Sequence, residues 1–203
     1  MHTARRVVVA LIAVCLLAAC ERAPTLPRLG PHDVILAFGD SLTHGTGASA
    51  DTAYPAVLAA LTGRSVVNAG VPGDTTTSAL ERLPAVLDAH QPRLVLLCLG
   101  GNDMLRKQPE AATENNLRLL VQTIRASGAE VVLIGVPEPK LFGGAPGFYA
   151  RIAKELRVPL EDAIFVEVLK DNRLKADPIH ANAAGYRVVA ERLADFLREA
   201  GAL

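Results

Sequence analysis

The chain has 203 residues, 50% of them hydrophobic and 21% charged, a balance that suits one globular domain with a sizeable core and excludes a disordered or fibrous polypeptide. Lys plus Arg number 21, as do Asp plus Glu, so the formal net charge is zero. No basic run is interleaved with aromatic residues, which argues against nucleic acid as a partner.

The first twenty residues read separately from the rest. Arg5 and Arg6 precede an apolar stretch, Val7 to Ala19, of secretory-signal length and shorter than a comfortable membrane span. Leu17-Ala18-Ala19-Cys20 resembles a bacterial lipobox, in which the cysteine becomes the lipidated first residue. An ordinary secretory signal with a chance cysteine, or an uncleaved anchor helix, is the alternative. The expected organisation is a lipoprotein signal peptide over 1–19, a lipidated tether over 20–32 carrying Pro24, Pro27, Gly30 and Pro31, and one folded domain over 33–203. Such a protein is exported and faces the periplasm. Lipid on Cys20 ties it to a membrane surface, Glu21 fits outer-membrane delivery in a Gram-negative cell, and no obligate protein partner is evident. Cys15 lies in the signal and Cys98 in an apolar run, so no disulfide is expected in the mature domain.

From residue 33 apolar runs alternate with helix-period segments, the pattern of parallel strands joined by crossover helices. Strands are expected near 34–38, 65–69, 94–99 and 130–136, with a short fifth near 163–166. Helices are expected near 54–62, 77–89, 110–127, 147–157 and 183–200. Ser78 and Glu81 have capping-box spacing, Gly128 follows the third helix, and Asn182 precedes the last as an N-cap. The fold class is thus α/β, a single-domain three-layer α/β/α sandwich with a mostly parallel sheet, whose ligands gather at the carboxyl ends of the strands.

Three successive strand ends carry small residues and a polar group: Gly39-Asp40-Ser41, "NAGVPGDTT" from Asn68, and "GGND" from Gly100 to Asp103. Any one of them alone reads as a simple turn. A serine becomes a nucleophile only with a base, so the histidines matter. His2 lies in the signal, His32 in the tether, and His90 at a helix end. His44 has no acidic residue at orienting spacing other than Asp40. His180 remains, with Asp177 three residues before it, a separation that puts both side chains on one face of a turn. Asp-x-x-His by itself is also a common surface turn or helix cap. Its position before the final helix returns it to the end of the sheet where Ser41 lies. The mature domain contains no Cys-x-x-Cys, no His-x-x-x-His, no Gly-x-Ser-x-Gly around Ser41 and no phosphate-binding glycine motif. No metal or other cofactor is expected.

Gly39-Asp40-Ser41-Leu42, Gly73 within "NAGVPGDTT", "GGND" with Asn102, and Asp177-x-x-His180 resemble, in order, the four blocks of the SGNH (GDSL) hydrolase family. The match spans about residues 33 to 200 and is similar to the bacterial periplasmic acyl-thioesterase, lysophospholipase and arylesterase branch. The resemblance implies Ser41 as nucleophile, His180 as base and Asp177 as its orienting carboxylate. It also implies an oxyanion hole from the amides of Ser41 and Gly73 and the side-chain amide of Asn102. The last block departs from the family's Asp-Gly-x-His-Pro, with Pro178 after Asp177 and Ala181 after His180. Pro178 restricts the backbone between the two side chains.

The resemblance further implies that Asp74, Thr75 and Thr76, in the loop running to Ser78, belong to a mobile lid over the acyl pocket. Leu141, Phe142, Phe148 and Tyr149 are candidates for lining an acyl channel, or else for packing the following helix. The function expected is a serine esterase acting on small acyl esters or thioesters through an acyl-enzyme. A deacetylase of cell-wall or extracellular glycans and a non-catalytic surface lipoprotein on the same fold are the alternatives.

Overall fold

Apolar runs bounded by Gly, Asn and Asp pair into a five-stranded sheet, all of it parallel, in a computed structural model that describes residues 24–140 and 143–203. The expected signal peptide and Cys20 lie outside the described residues. The strands are β1 (Val34–Gly39), β2 (Ser65–Gly70), β3 (Leu94–Cys98), β4 (Glu130–Ile134) and β5 (Leu160–Glu161), in spatial order β2-β1-β3-β4-β5. The helices are α1 (Ser41–His44), α2 (Tyr54–Thr62), α3 (Thr76–His90), α4 (Gly101–Leu105), α5 (Glu110–Ala126), α6 (Gly147–Leu156), α7 (Ile164–Lys170) and α8 (Ala183–Glu199).

The order dictates where a ligand can sit. The chain runs outward from β1 to β2, then crosses back so that β3 lies on the other flank of β1. Right-handed crossovers therefore place α2 on one face and α3 on the other. In keeping with this, α2 and α7 pack on α8, whereas α3 and α6 pack on α5. The loops after β1 and β3 diverge to opposite faces and leave a crevice at the strands' carboxyl ends. β3, central in the sheet, is buried at all five residues; β2, at the edge, is only half-buried.

Three local readings are corrected. The fifth strand is not at 163–166 but at Leu160–Glu161, and 164–170 is helix. Ile164, Phe165 and Val168 are all buried, and the buried Glu161 carboxylate receives the Ile164 amide at 3.1 Å, tying the start of this helix to the strand end. The β-branched and aromatic residues that suggest a strand here serve helix packing instead. Helix α3 is capped one turn earlier than expected, by Thr75 and Ser78 rather than Ser78 and Glu81. Asn182 does cap α8, its side chain receiving the Gly185 amide at 3.0 Å.

The third correction concerns the expected tether over 20–32. From Leu26 onward it belongs to the folded domain. Leu26 and Leu29 are buried in the core, and their amides donate to the carbonyls of Ala200 and Ala202 at 2.8 and 2.9 Å. Arg64 donates to the Gly30 carbonyl at 2.7 Å, and Asp33 receives the Gly30 amide. Proline and glycine here shape a docked segment that closes the end of the sheet opposite the crevice. No helix of the described residues is long and apolar enough to cross a membrane.

Leu29→Ala is expected to cost about 2–4 kcal/mol through lost burial and a residual cavity, read as a lower urea midpoint. Exchange of the exposed His32 should shift stability by less than about 0.5 kcal/mol.

Candidate active site

The site begins where β1 stops. Gly39 faces Cys98 across the β1–β3 pair, and a side chain at 39 would collide with the Cys98 carbonyl and the Thr43 side chain. Glycine thus lets the chain turn at once into α1, whose first residue is Ser41. Asp40 caps this short helix, its carboxylate receiving the Leu42 amide at 3.0 Å. Beneath the turn, the Thr43 hydroxyl lies 3.2 Å from the buried Tyr54 hydroxyl.

Asp177 and His180 arrive from the loop between α7 and α8. This loop doubles back as a hairpin, with Lys175 bridged to Ala181 and the Ala176 amide donating to the His180 carbonyl at 2.9 Å. The Asn182 side chain pins it by donating to the Arg173 carbonyl at 2.8 Å. At the hairpin tip, one Asp177 oxygen receives the amides of Ile179 and His180, both at 2.9 Å, and the other lies 2.7 Å from His180 Nδ1. Pro178 suits this turn because the carboxylate closes it using amides beyond the proline, so the missing N–H costs nothing. His180 Nε2 then lies 3.0 Å from Ser41 Oγ. Carboxylate, imidazole and hydroxyl thus stand in hydrogen-bonded order, an arrangement that can draw a proton from the hydroxyl.

Facing Ser41 across the crevice is α4. The Asn102 side-chain amide donates to the Asp74 carbonyl at 2.9 Å and, more weakly, to Asp40 Oδ2 at 3.3 Å. Arg106 donates to the Gly73 carbonyl at 2.9 Å, and Asp103 receives the Thr76 hydroxyl at 2.6 Å and its amide at 3.0 Å. Three side chains of the β3–α4 segment therefore clamp the loop after β2. Gly73 takes a φ of +81°, and its amide has no acceptor among the described residues. The Ser41 amide opens a helix and has no intrahelical acceptor either.

A cleft of about 550 Å³ opens beside these groups. Ser41, Asn102 and His180 line it, with Leu105, Val136, Pro137, Val166, Leu169 and Ile179 as apolar walls. Gly73 is not among its lining residues. Neither are Asp74, Thr75, Thr76 and Phe148, which corrects their expected place against substrate. Asp74 is buried in an ion pair with Arg82 at 2.7 Å, Thr75 caps α3, and Thr76 is held by Asp103. A mobile lid over the cleft sits poorly with so many internal bonds. Phe148 is buried and its ring is 4.4 Å from that of Tyr149, whose hydroxyl donates to the Leu99 carbonyl. Leu141 and Phe142 lie outside the described residues, although Pro139, Lys140 and Gly143 around them border the cleft. The wall drawn from 166–179 has no local signal in the sequence, where no spacing distinguishes a lining residue from a packing one.

Two carboxyls of the site are shifted in opposite directions. Burial pushes Asp40 up from its ordinary 3.8 to about 7, against the lowering effect of the Leu42 amide. Asp177 is raised by partial burial, but the His180 ring and the amides it receives outweigh this and hold it below the usual carboxylate range. Asp177 is thus an ionised acceptor and Asp40 a group poised to keep its proton. Among the described residues no cluster of three or more His, Cys, Asp or Glu could hold a metal ion.

Because Asp40 keeps its proton to higher pH when folded than when unfolded, unfolding releases that proton between about pH 4 and about pH 7, and this group's contribution to stability falls as pH rises through that window. Asp40→Asn is expected to flatten the decline, read as the difference between variant and parent urea midpoints at a series of pH values. Parallel pH profiles would count against a buried, proton-retaining Asp40.

Comparison with known proteins agrees with this architecture. The model of the GDSL-like Lipase/Acylhydrolase family matches residues 37–188. The chain is 39% identical over 179 residues to "Thioesterase 1/protease 1/lysophospholipase L1" of Escherichia coli K12, covering 84% of this chain and 86% of that one. It is 32% identical over 174 residues to the "Arylesterase" of Vibrio mimicus, covering 80% and 87%. Among solved structures, the esterase EstA from Pseudoalteromonas superposes with a TM-score of 0.73 at 25% identity, covering 82% of this chain and 97% of that one. With the family model spanning most of the chain and these relatives aligned over four fifths or more of it, the protein belongs to the GDSL-like lipase/acylhydrolase family.

Proposed function

We propose that the protein is a serine ester hydrolase that cleaves acyl esters or thioesters through an acyl-enzyme. The observation that carries this is the unbroken chain Asp177–His180–Ser41 at 2.7 and 3.0 Å, beside an apolar cleft. With Asp177 ionised, the His180 proton resides on Nδ1 and Nε2 is free to accept from Ser41. Ser41 Oγ attacks the acyl carbon as His180 takes its proton. The carbonyl oxygen becomes an oxyanion held by the amides of Ser41 and Gly73 and by Asn102 Nδ2. To serve there, Asn102 gives up its 3.3 Å contact with Asp40 and keeps the 2.9 Å bond to the Asp74 carbonyl. The tetrahedral centre collapses, His180 returns the proton to the departing alcohol or thiol, and the acyl group stays on Ser41. Water activated by His180 then releases the acid and restores the hydroxyl.

Apolar walls beside the nucleophile favour an acyl chain longer than acetyl. The names thioesterase, lysophospholipase and arylesterase borne by relatives support the same substrate range. The reading includes export and lipid attachment at Cys20, supported by Arg5 and Arg6, the apolar run to Ala19 and the small residues before the cysteine. Glu21 after it supports delivery to an outer membrane facing the periplasm.

Hydrolysis of p-nitrophenyl esters from acetyl to palmitoyl tests the reading. Ser41→Ala and His180→Ala should each remove nearly all turnover with the circular-dichroism spectrum unchanged, and parental rates in either would overturn it. Asn102→Ala should lower kcat by about a hundredfold or more, as expected for a lost oxyanion donor. A change in KM alone would speak against that role. Turnover confined to acetyl would redirect the search to O-acetylated glycans. Cys20→Ser should release the protein from membranes into the soluble fraction.

A further inference from the structure

We infer that the cleft carries an anion-recognising rim, formed by Lys170 and Lys175, which selects esters or thioesters bearing a negative charge away from the reacting carbonyl. This rests on the esterase reading and adds to it the chemistry of the substrate's remainder. Both lysines line the cleft. Lys170 ends α7 and is exposed, and Lys175 is half-buried at the base of the hairpin that carries Asp177 and His180.

What singles them out is the pairing of the charges around them. Glu138 pairs with Lys140 at 2.7 Å, Asp171 with Arg173 at 2.7 Å, and Glu167 with Arg192 at 3.0 Å. These acidic groups of the segments around the rim are already committed. Among the described residues, neither Lys170 nor Lys175 forms an ion pair, and Lys175 Nζ reaches only the Leu169 carbonyl, at 3.4 Å. Two cations with no ion-pair partner among the described residues thus border the cleft that holds Ser41.

The surroundings strengthen the effect. Leu169, Val166 and Ile179 line the same cleft, and their side chains carry no polar atoms to screen the charges. Low-dielectric walls in a concavity focus the field of such cations onto whatever enters. The matching ligand has an apolar portion and a carboxylate, sulfonate or phosphate. A neutral acetylated sugar would leave both lysines unmatched. Neither lysine hydrogen-bonds Ser41, Asp177 or His180, so their influence falls on substrate capture rather than proton transfer.

The test compares p-nitrophenyl butyrate with p-nitrophenyl hemisuccinate, which puts the charge on the acyl side, and with 4-butyryloxybenzenesulfonate, which puts it on the leaving group. The quantity read is the ratio of kcat/KM for charged over neutral ester, in the parent and in Lys170→Gln/Lys175→Gln. The parent should favour at least one charged ester through KM. The ratio should fall about tenfold in the double variant, and should shrink in the parent as ionic strength rises from about 0.02 to about 0.5 M. Which charged ester is favoured tells which end of the substrate meets the lysines. A ratio unchanged by the substitutions would overturn the rim. Calorimetric titration with octyl phosphate decides the question independently of turnover. Affinity about tenfold weaker in the double variant supports the rim even if no ester is hydrolysed, an outcome that would sink the esterase reading alone, and equal affinities refute it.

Discussion

The pairing of β1 with β3 is the constraint on which the rest of the molecule depends. With β2 on its other flank, β1 has neighbours whose connections leave on opposite faces of the sheet, and the crevice between those departures lies at its carboxyl end. Gly39 stands there against Cys98, with no room for a side chain. Ser41 follows two residues beyond Gly39 and Asn102 four beyond Cys98, so one register brings the hydroxyl and the amide to the same place. The hairpin before α8 then needs only to reach over the crevice for His180 to meet Ser41.

Around this point, four aspartates of similar sequence context are placed in four electrostatic environments. Asp177 accepts three hydrogen bonds and stays ionised; Asp40, buried beside the nucleophile, holds its proton to about pH 7. Asp74 is matched by Arg82, which also donates to the Gly39 carbonyl at 3.0 Å and lies 3.9 Å from the centre of the Phe38 ring. Asp103 holds the first residue of α3. Two of the four thus serve the loops around the crevice, one caps the nucleophile's helix and one orients the histidine. The loop carrying Gly73 is held for the same reason, because Asn102 and Arg106, in and just after one short helix, grip it while Asp103 fixes the start of α3 that follows. Preorganised donors of this kind lose little to reorganisation when charge develops on a substrate oxygen.

Much of the cleft is assembled from segments other than those that supply Ser41 and Asn102. Most of its walls come from the loop after β4 and from α7 and the loop that follows, with Leu42 and Leu105 added beside Ser41 and Asn102. Most of the surface that meets substrate is therefore carried by stretches of chain distinct from those two groups. His180 belongs to both the wall and the triad-like chain, since the hairpin that presents it also carries Lys175, Pro178 and Ile179 into the wall.

By itself, the sequence determined the alternation of strands and helices, the strand ends rich in glycine, and the short-range pairing of Asp177 with His180. Each of these is a local matter, set by hydrophobic period, turn chemistry or a spacing of three. Local signals also misled: Pro and Gly at 24–31 read as a tether although Leu26 and Leu29 are core, and Ile164-Phe165-Val166 read as a strand although those residues pack as a helix. Only the tertiary structure decided that Asp74, Thr75, Thr76 and Phe148 turn inward, that Asn102 and Arg106 clamp the Gly73 loop, and that Lys170 and Lys175 border one cleft with no ion-pair partner among the described residues. Whether a side chain faces substrate, solvent or core depends on what the rest of the chain packs against it, and residues far apart in sequence settle that only when the sheet brings their loops to one end.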